Sequence, residues 1–496
     1  MSRWGRVERR GEEVVKHAET WLTEHPSGPR FVWVHLYDPH DPYEPPAPYS
    51  RTYEKTPYDG EIAYADSVLG RFVAYLKQHG WYENSLLVVA GDHGEGLGEH
   101  GEDTHGIFLY DSTTHVPLLM KRPGGMQAGT IVAAQVRTTD ILPTVLDLLN
   151  LSSPGLDGES LQPLFGNHTS PERPAFGETD YPVRFGWAPL RSLRADGHKY
   201  IEAPRPELYD LTADPGERDN IYEPWNELVK KMRAELAEQR AKTPAATSAG
   251  AVGAGTMDEL RALGYLGPAD AGSSTTAPEP SLLPDPKDKI EQQNLLHRAM
   301  MASEDNRSED ARRALERVLQ LDPKSMVALR QLGELELRAG DFNEAAEHLG
   351  EVCKARPDDA AAALRLGQAL EKLGKPEEAR AALKNSLKLL PQQYEARLLL
   401  GNVYLRLQQY AAAEDQMEAA LLLQPDSLDA QMAIARAKIA EGRNEDAISR
   451  LNSLTARYPK NPEIFLLLSE AYAASGMPAK AQRARAQAEK LKARTK

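Results

Sequence analysis

The sequence has one cysteine among 496 residues, no long apolar run and no excess of positive charge. The single thiol, Cys353, excludes an intramolecular disulfide and a metal site built from cysteines. No run of about 18 apolar residues indicates a membrane-spanning helix, and the charged opening segment lacks the apolar centre of a signal peptide. The formal net charge of −14 argues against binding to nucleic acid. A longer form of the protein could still be exported or membrane-anchored, so the cellular location stays open.

The composition is that of a folded protein with several domains. Hydrophobic residues make up 41% of the sequence and charged residues 27%, which leaves enough apolar surface for sizeable cores. At roughly 150 residues per domain, this length predicts two to four folded units.

Strand and helix patterns alternate through the first part of the chain. Short apolar runs at 31–36, 86–90 and 116–121 predict buried parallel strands. An apolar stripe between the first two runs predicts an amphipathic helix, with inward residues Ile62, Ala65, Leu69, Phe72 and Leu76. A second helix is expected to begin at Thr138 or Thr139, and residues 173–222 predict small antiparallel strands. The fold class is therefore α/β for residues 1–240.

Residues 241–286 are rich in Ala, Gly, Ser, Thr and Pro. Such a segment buries too little apolar surface to offset its ordering entropy, so we predict a flexible linker with one short helix near 257–267.

The remaining residues, 287–496, contain a 34-residue period. Three residue series keep this interval: prolines at 323, 357, 391, 425 and 459, alanines at 311, 345, 379, 413, 447 and 481, and small residues at 333, 367, 401, 435 and 469. Glycines recur at 340, 374, 442 and 476, and only Gln408 interrupts this fourth series. The pattern resembles the tetratricopeptide (TPR) repeat, which implies an all-α solenoid of about six helix pairs. A protein or peptide partner is expected on its concave face.

Candidate chemistry lies near the ends of the predicted strands. His40 follows the first apolar run, and Asp92, His93, His100 and His105 follow the second. Ligands of open α/β sheets bind beyond the carboxyl ends of the strands, where these side chains are expected. An adjacent Asp and His can hold a divalent cation, the carboxylate suiting Ca²⁺ or Mg²⁺ and the imidazole suiting Zn²⁺ or Mn²⁺. On its own, however, Asp-His-Gly is a common loop sequence.

The sequence around these residues resembles the sulfatase family of the alkaline phosphatase superfamily. LLVVAGDHGEGLGEHG, followed by THGIFLYDSTTHVPLLMKRPG, is similar to the family's metal-binding segment, and FVWVHLYDPHDPYEPP is similar to its histidine-bearing strand and loop. The resemblance covers roughly residues 4–240. It implies part of an alkaline-phosphatase-like sandwich with a small antiparallel C-terminal subdomain.

The resemblance also implies roles for individual residues. By position, Asp92 and His93 match metal ligands, and the family favours Ca²⁺ or Mg²⁺ over Zn²⁺ or Mn²⁺. His40 matches the histidine near the scissile ester, which binds a sulfate oxygen or protonates the leaving group. His105 lies about one residue from the position of a sulfate-binding lysine. The implied substrate is a sulfate ester, attacked in the family by a formylglycine nucleophile.

The family's nucleophile motif, a Cys or Ser followed by x-Pro-Ser-Arg, does not occur in this sequence. We therefore expect an incomplete catalytic domain that is inactive alone, with the formylglycine and further metal ligands encoded upstream. Two alternatives remain. One is a non-catalytic TPR scaffold with a sulfatase-like remnant. The other is a hydrolase or transferase acting on phosphate or phosphonate esters, since related enzymes share the metal scaffold.

Overall fold

The computed structural model describes residues 9–152, 154–166, 173–242 and 282–494. Its contacts divide the chain into two compact units. The first comprises Met1–Gly267 and Thr276–Asn294, and the second comprises Pro268–Thr275 and Leu295–Lys496. Most of the predicted linker, including the predicted helix at 257–267, lies outside the described residues. The domain boundaries at 240 and 286 stay predictions.

The first unit begins with three helices: α1 Gly11–Glu24, α2 Tyr49–Thr52 and α3 Pro57–Gln78. The long helix α3 buries Tyr64, Val68, Phe72 and Leu76 against α1. Phe72 and Leu76 agree with the predicted stripe, whereas Ile62 is exposed. In the first half of α3 the buried stripe is shifted by one residue from the predicted stripe, so Tyr64 and Val68 are buried in place of Ala65 and Leu69.

Two predicted strands form, but not in the predicted arrangement. Strands β1 Leu87–Ala90 and β2 Leu118–Lys121 pair antiparallel, so the prediction of parallel strands was wrong. Residues 31–36 form no strand, and the side chains of Phe31 and Trp33 are 81% and 80% exposed. A short apolar run specifies neither a pairing partner nor the direction of pairing, so the sequence could not show that 31–36 stays unpaired or that the other two runs pair antiparallel.

Three further α-helices and a second sheet follow in the described part of the first unit. The helices are α4 Asp111–Thr114, α5 Ile141–Leu148 and α6 Glu227–Lys242. Four strands form an antiparallel sheet in chain order: β3 Ala175–Thr179, β4 Leu190–Ala195, β5 His198–Glu202 and β6 Glu207–Asp210. One side of this sheet packs on residues 107–110, and the other buries three residues of α6. The predicted antiparallel subdomain at 173–222 is thereby confirmed.

In the second unit, the described residues form only helices and the turns between them. Six consecutive helix pairs run from residue 290 to 494: α7 Ile290–Glu304 with α8 Ser308–Leu321, α9 Met326–Ala339 with α10 Phe342–Ala355, α11 Ala360–Lys372 with α12 Pro376–Leu389, α13 Tyr394–Arg406 with α14 Tyr410–Leu423, α15 Leu428–Ala440 with α16 Asn444–Arg457, and α17 Pro462–Ala474 with α18 Pro478–Arg494. The first turn of α7, as far as Asn294, belongs to the first unit. Among the described helices, none has the length and apolar character needed to cross a membrane.

Two of the periodic glycine series have clear structural reasons. At Gly333, Gly367 and Gly401, an added Cβ would lie 2.5–2.7 Å from a side chain of the paired helix, so these positions need the smallest residue. The glycines that end first helices have φ between 72° and 92°, in the left-handed region. Gln408 occupies the equivalent turn with φ of 57°. The sequence period therefore reports both helix crossing and turn geometry.

Candidate functional site

Three imidazoles from two separate segments of the first unit converge at one place. Each of His40, His93 and His105 offers a potential ligand atom, and these atoms all lie within 4.8 Å of one another. The rings of His93 and His105 are stacked, with centroids 4.0 Å apart. The His40 ring stands edge-on to His105 at 5.2 Å. We call this group the histidine cluster.

His93 lies in a loop after β1 whose backbone is tightly bound on both sides. The amide of Gly94 donates to the carbonyl of Thr113 at 2.8 Å, and that of Gly96 donates to Thr104 at 2.7 Å. A Cβ on Gly94 would lie 2.1 Å from the carbonyl oxygen of Ser112, and one on Gly96 would lie 2.6 Å from that of Thr104. Glycine is required at both positions because backbone approaches backbone this closely.

His105 lies at the far end of the same loop, where a buried carboxylate holds the chain. Glu102 accepts hydrogen bonds from the amides of Ile107 at 2.7 Å and Phe108 at 3.0 Å. Burial raises the pKa of Glu102 to about 7, although these two amides favour the ionised form. The loop is therefore fastened immediately before and after His105.

His40 comes from a different segment, which is tethered to α3 by Glu61. The two carboxylate oxygens of Glu61 accept the amides of His40 at 3.0 Å and Glu44 at 2.8 Å. A buried Asp38 in the same segment accepts the amide of Gly11 at 2.9 Å. The Tyr37 ring also stacks on His40, with centroids 4.4 Å apart. These contacts fix both the backbone and the ring.

Each ring of the histidine cluster has its Nδ1 beside an oxygen. The acceptors are the carbonyls of Asp41 for His40 and of Gly94 for His93, each at 2.8 Å, and a Glu95 carboxylate oxygen for His105 at 3.0 Å. Since a carbonyl oxygen only accepts, Nδ1 carries the proton in His40 and His93. Nε2 is then the nitrogen left for a ligand, as in metal sites whose histidines are oriented by outer oxygen acceptors.

The electrostatic surroundings separate His40 from His105. Burial lowers the pKa of His40, and the neighbouring His105 and His93 lower it further. Burial also opposes the charge on His105, but its hydrogen bond and charge interaction with Glu95 outweigh this effect and raise its pKa. The cluster thus combines an imidazole whose positive charge is disfavoured by burial with one whose positive charge is favoured by Glu95.

A buried ion network supports α4, to which the loop is bonded. The ammonium of Lys199, in β5 and 1% exposed, lies 2.5 Å from a carboxylate oxygen of Asp111 and 3.0 Å from one of Glu217. The guanidinium of Arg194 lies 3.3 Å from the other oxygen of Asp111. The four-stranded sheet therefore sets the position of residues 111–114.

The structure brings His40, His93 and His105 together, but Asp92 is not a member of the cluster. Asp92 is exposed, and its Oδ1 accepts the amide of His93 at 3.1 Å. Sequence reasoning missed Glu95 and Glu61. Glu95 had a signal, because it lies two residues after His93 in the glycine-rich loop. Glu61 had none, since it lies on α3 among apolar positions.

The described architecture defines the class of protein: an α/β unit with a histidine centre suited to a metal or an oxyanion, followed along the chain by an all-helical repeat array. The sulfatase family model matches residues 8–151, and the model for the C-terminal region of N-sulphoglucosamine sulphohydrolase matches residues 98–242. The first part of the chain thus carries sulfatase-family domains.

Family models also confirm the repeats. One tetratricopeptide model matches residues 298–360, 330–394 and 364–430, and a second matches residues 438–492. The predicted fold class is confirmed: a mixed α/β region with small antiparallel sheets and a helical TPR-like region. TPR repeats indicate protein–protein interaction in general.

Curated relatives match over the first part of the chain. Arylsulfatase K of Mus musculus is 30% identical over 191 residues, which are 36% of this chain and 34% of the relative. N-acetylglucosamine-6-O-sulfatase of Bacteroides thetaiotaomicron is 29% identical over 177 residues, which are 33% of this chain and 31% of the relative. The chain thus spans about a third of the length of these relatives. This supports a sulfatase-like hydrolase at the level of the family.

Solved structures resemble each of the two regions. The sulfatase-like protein yidJ from Bacteroides fragilis has a TM-score of 0.43 and 20% identity, over 47% of this chain and 58% of that protein. A tetratricopeptide repeat protein from Parabacteroides merdae has a TM-score of 0.36 and 19% identity, over 39% of this chain and 77% of that protein.

Proposed function

We propose that the first unit is the metal- and oxyanion-binding part of a sulfate ester hydrolase, and that the repeats bind a protein or peptide partner. The observation that carries the catalytic part is the convergence of His40, His93 and His105 within 4.8 Å. Their Nδ1 contacts leave Nε2 available in each ring. The relatives named above supply the sulfate ester as substrate class.

The donor atoms of the cluster fit a divalent cation. Imidazole nitrogen suits Zn²⁺ or Mn²⁺, whereas the carboxylate of Asp92 is the donor that suits the Ca²⁺ or Mg²⁺ expected from the family resemblance. Because His93 offers an imidazole nitrogen at the cluster, we favour Zn²⁺ or Mn²⁺ bound at His93, which leaves His40 and His105 for the substrate. When bound, the cation supplies Lewis-acid stabilisation of negative charge on an ester oxygen.

His105 is the residue best suited to face a sulfate oxygen. Glu95 stabilises its cationic form, and a charged imidazole donates a strong hydrogen bond to an anion. The loop between Gly96 and Gly106 has its own internal hydrogen bonds, so this donor is held in place before substrate binds. We therefore assign oxyanion binding to His105.

His40 is suited to proton transfer to the departing alcohol. Its lowered pKa makes the protonated ring a stronger acid than an ordinary histidine. Glu61 holds the backbone of His40, and the Asp41 carbonyl and the Tyr37 ring hold its imidazole, while a proton moves at Nε2. Since the sequence has no Cys/Ser-x-Pro-Ser-Arg motif, we assign to these residues binding and proton transfer, and no nucleophilic attack.

Metal binding by the full chain tests the proposal. Isothermal titration with Zn²⁺, Mn²⁺, Ca²⁺ and Mg²⁺ should give one site with preference for Zn²⁺ or Mn²⁺. His93→Ala should weaken that site at least tenfold. His79→Ala is the matched control, because His79 is an exposed histidine outside the cluster. Equal binding by His93→Ala and His79→Ala would refute the metal centre.

Anion binding separates sulfate from phosphate chemistry. Sulfate and phosphate are titrated into the metal-loaded chain while the His105 ring is followed by NMR in histidine-labelled protein. Tighter binding of sulfate supports the proposal, and tighter binding of phosphate favours a phosphate or phosphonate ester hydrolase.

The scaffold alternative makes a different prediction for the full chain. If the sulfatase-like region only supports the repeats, the double variant Asp92→Ala/His93→Ala will keep the protein's biological role. Loss of that role with an intact repeat array, checked by circular dichroism, supports a hydrolase.

A further inference from the structure

A short segment just before the repeats is part of the first unit. The carbonyl of Pro284 accepts the amide of Ala188 at 2.9 Å. The carboxylate of Asp285 accepts the amide of Arg205 at 3.0 Å, and the ammonium of Lys287 lies 3.4 Å from Glu207 in β6. These bonds anchor residues 284–288 to the end of the four-stranded sheet.

The first turn of α7 continues from this anchor to Gly101–Asp103, the tip of the loop that carries His93 and His105. The side-chain amide of Asn294 donates to the carbonyl of Gly101 at 2.8 Å, and its oxygen accepts the amide of Asp103 at 3.3 Å. One planar amide thus bonds to both sides of the tip. A Cβ on Gly101 would lie 3.4 Å from a methyl carbon of Ile290, so the tip and α7 are in close contact.

Backbone hydrogen bonds across the loop connect its tip to His105. Gly98 donates its amide to Glu102 at 2.9 Å, and Gly96 donates to Thr104 at 2.7 Å. His105 follows Thr104 directly, and its ring is bonded to Glu95 on the opposite side of the loop. A change at Gly101 therefore acts on both chain segments that hold the His105 ring.

We infer that Asn294 is a positioning residue for His105, so that the first turn of α7, within the first unit, sets the spacing between His105 and His93. The functional meaning of this inference rests on the proposed metal and oxyanion centre. Asn294 does not touch the cluster. It acts through the loop backbone, because its amide satisfies one donor and one acceptor of the same tip.

Variants of the full chain test the inference. Asn294→Ala removes both bonds, and Asn294→Asp keeps only the oxygen acceptor. Met300→Ala is the control, because Met300 is an exposed residue of the same helix. In hydrogen–deuterium exchange, Asn294→Ala should speed exchange at residues 96–106 by roughly tenfold, with Asn294→Asp intermediate and Met300→Ala unchanged.

A second readout distinguishes positioning from mere stabilisation. In histidine-labelled protein without metal, the ring signal of His105 should be shifted by the stacked His93 ring. Asn294→Ala should change that shift, and Asn294→Asp should restore part of it. Faster exchange with an unchanged His105 signal, or no faster exchange, would overturn the inference. Uptake of Co²⁺ by the wild-type chain is measured separately, so a failed metal centre is distinguishable from a failed positioning role.

Discussion

The Nδ1 of His105 lies 3.0 Å from a carboxylate oxygen of Glu95, whose side chain is 3% exposed. This pair joins the two ends of the glycine-rich loop and favours a positive charge on His105 next to two further imidazoles. Without Glu95, burial alone would favour the neutral ring. Glu95 is therefore the main group that raises the pKa of His105.

Glu95→Gln should lower the pKa of His105, because the amide gives a weaker hydrogen bond and no opposite charge. NMR titration of the His105 ring measures the shift. Glu99→Gln is the control, since Glu99 is exposed and lies in the same loop. Equal His105 titration in both variants would contradict the role of Glu95.

The His105–Glu95 pair should also make the free energy of unfolding depend on pH. The folded pKa of His105 is raised, so the folded state binds more protons than the unfolded state. Its contribution is present in full below the unfolded value of about 6.5 and is lost as pH rises through the folded value. In Glu95→Gln this dependence on pH should become weaker, measured by urea unfolding between pH 5 and 9.

Glu61→Gln should change the stability of the first unit by an amount that depends on pH. Burial raises the pKa of Glu61 to about 7, above the ordinary 4.5, so the wild type loses stability as pH rises from about 4.5 to about 7. The loss is on the order of 3 kcal/mol. Glutamine cannot ionise, but its single oxygen satisfies only one of the two amides.

The variant should therefore be less stable than wild type by about 1–2 kcal/mol at pH 5, and the deficit should shrink or reverse at pH 8. All six tryptophans lie at or before Trp225, so their fluorescence in urea reports the first unit. The exposed Glu54→Gln is the control. A deficit that is constant from pH 5 to pH 8 would show that Glu61 does not titrate in this range.

Two glycine-to-alanine changes within repeat helices should have opposite effects. At Gly367, the new Cβ would lie 2.6 Å from Cγ of Leu383, which costs about 1–3 kcal/mol. At Gly350 the space is open, so alanine should stabilise α10 by about 0.5–1 kcal/mol. Hydrogen exchange of the affected helices measures both changes. Stabilisation by both variants would show that the helices can separate to accept the methyl group.

Gln408→Gly should stabilise the repeat array by about 0.5–1 kcal/mol, because Gln408 is exposed and has φ of 57°. Gly374→Gln, in the equivalent turn of another repeat, is the reverse change and should destabilise by a similar amount. The thermal midpoint of the helical circular dichroism signal measures both. Equal midpoints for the two variants would mean that turn conformation has little influence here.

The repeats were predicted well because their constraints are local and recur. Each small residue reports a helix crossing and each glycine a turn, so Gly333 and Gly374 could be interpreted without knowledge of distant contacts. Strand pairing has no such marker. The run at 31–36 has the composition of a strand, but it forms no backbone pairing within the described residues.

The histidine cluster was only partly accessible from sequence. His93 and His105 share one loop, and His40 could be added through the family resemblance. Their outer contacts depend on tertiary structure, since Glu61 reaches the His40 segment from α3 and Asn294 reaches Gly101 across 193 residues of sequence. Adjacency in sequence can also mislead: Asp92 lies next to His93 in the chain, but only His93 is part of the cluster.

Two attachments hold the three rings. His93 and His105 share a loop closed by its own backbone bonds, whereas His40 is carried by a segment fastened to α3. Thermal opening of the centre should therefore withdraw His40 from a pair that stays intact. In the proposed centre, His93 and His105 would then remain as a preformed half-site that His40 completes from its own anchor.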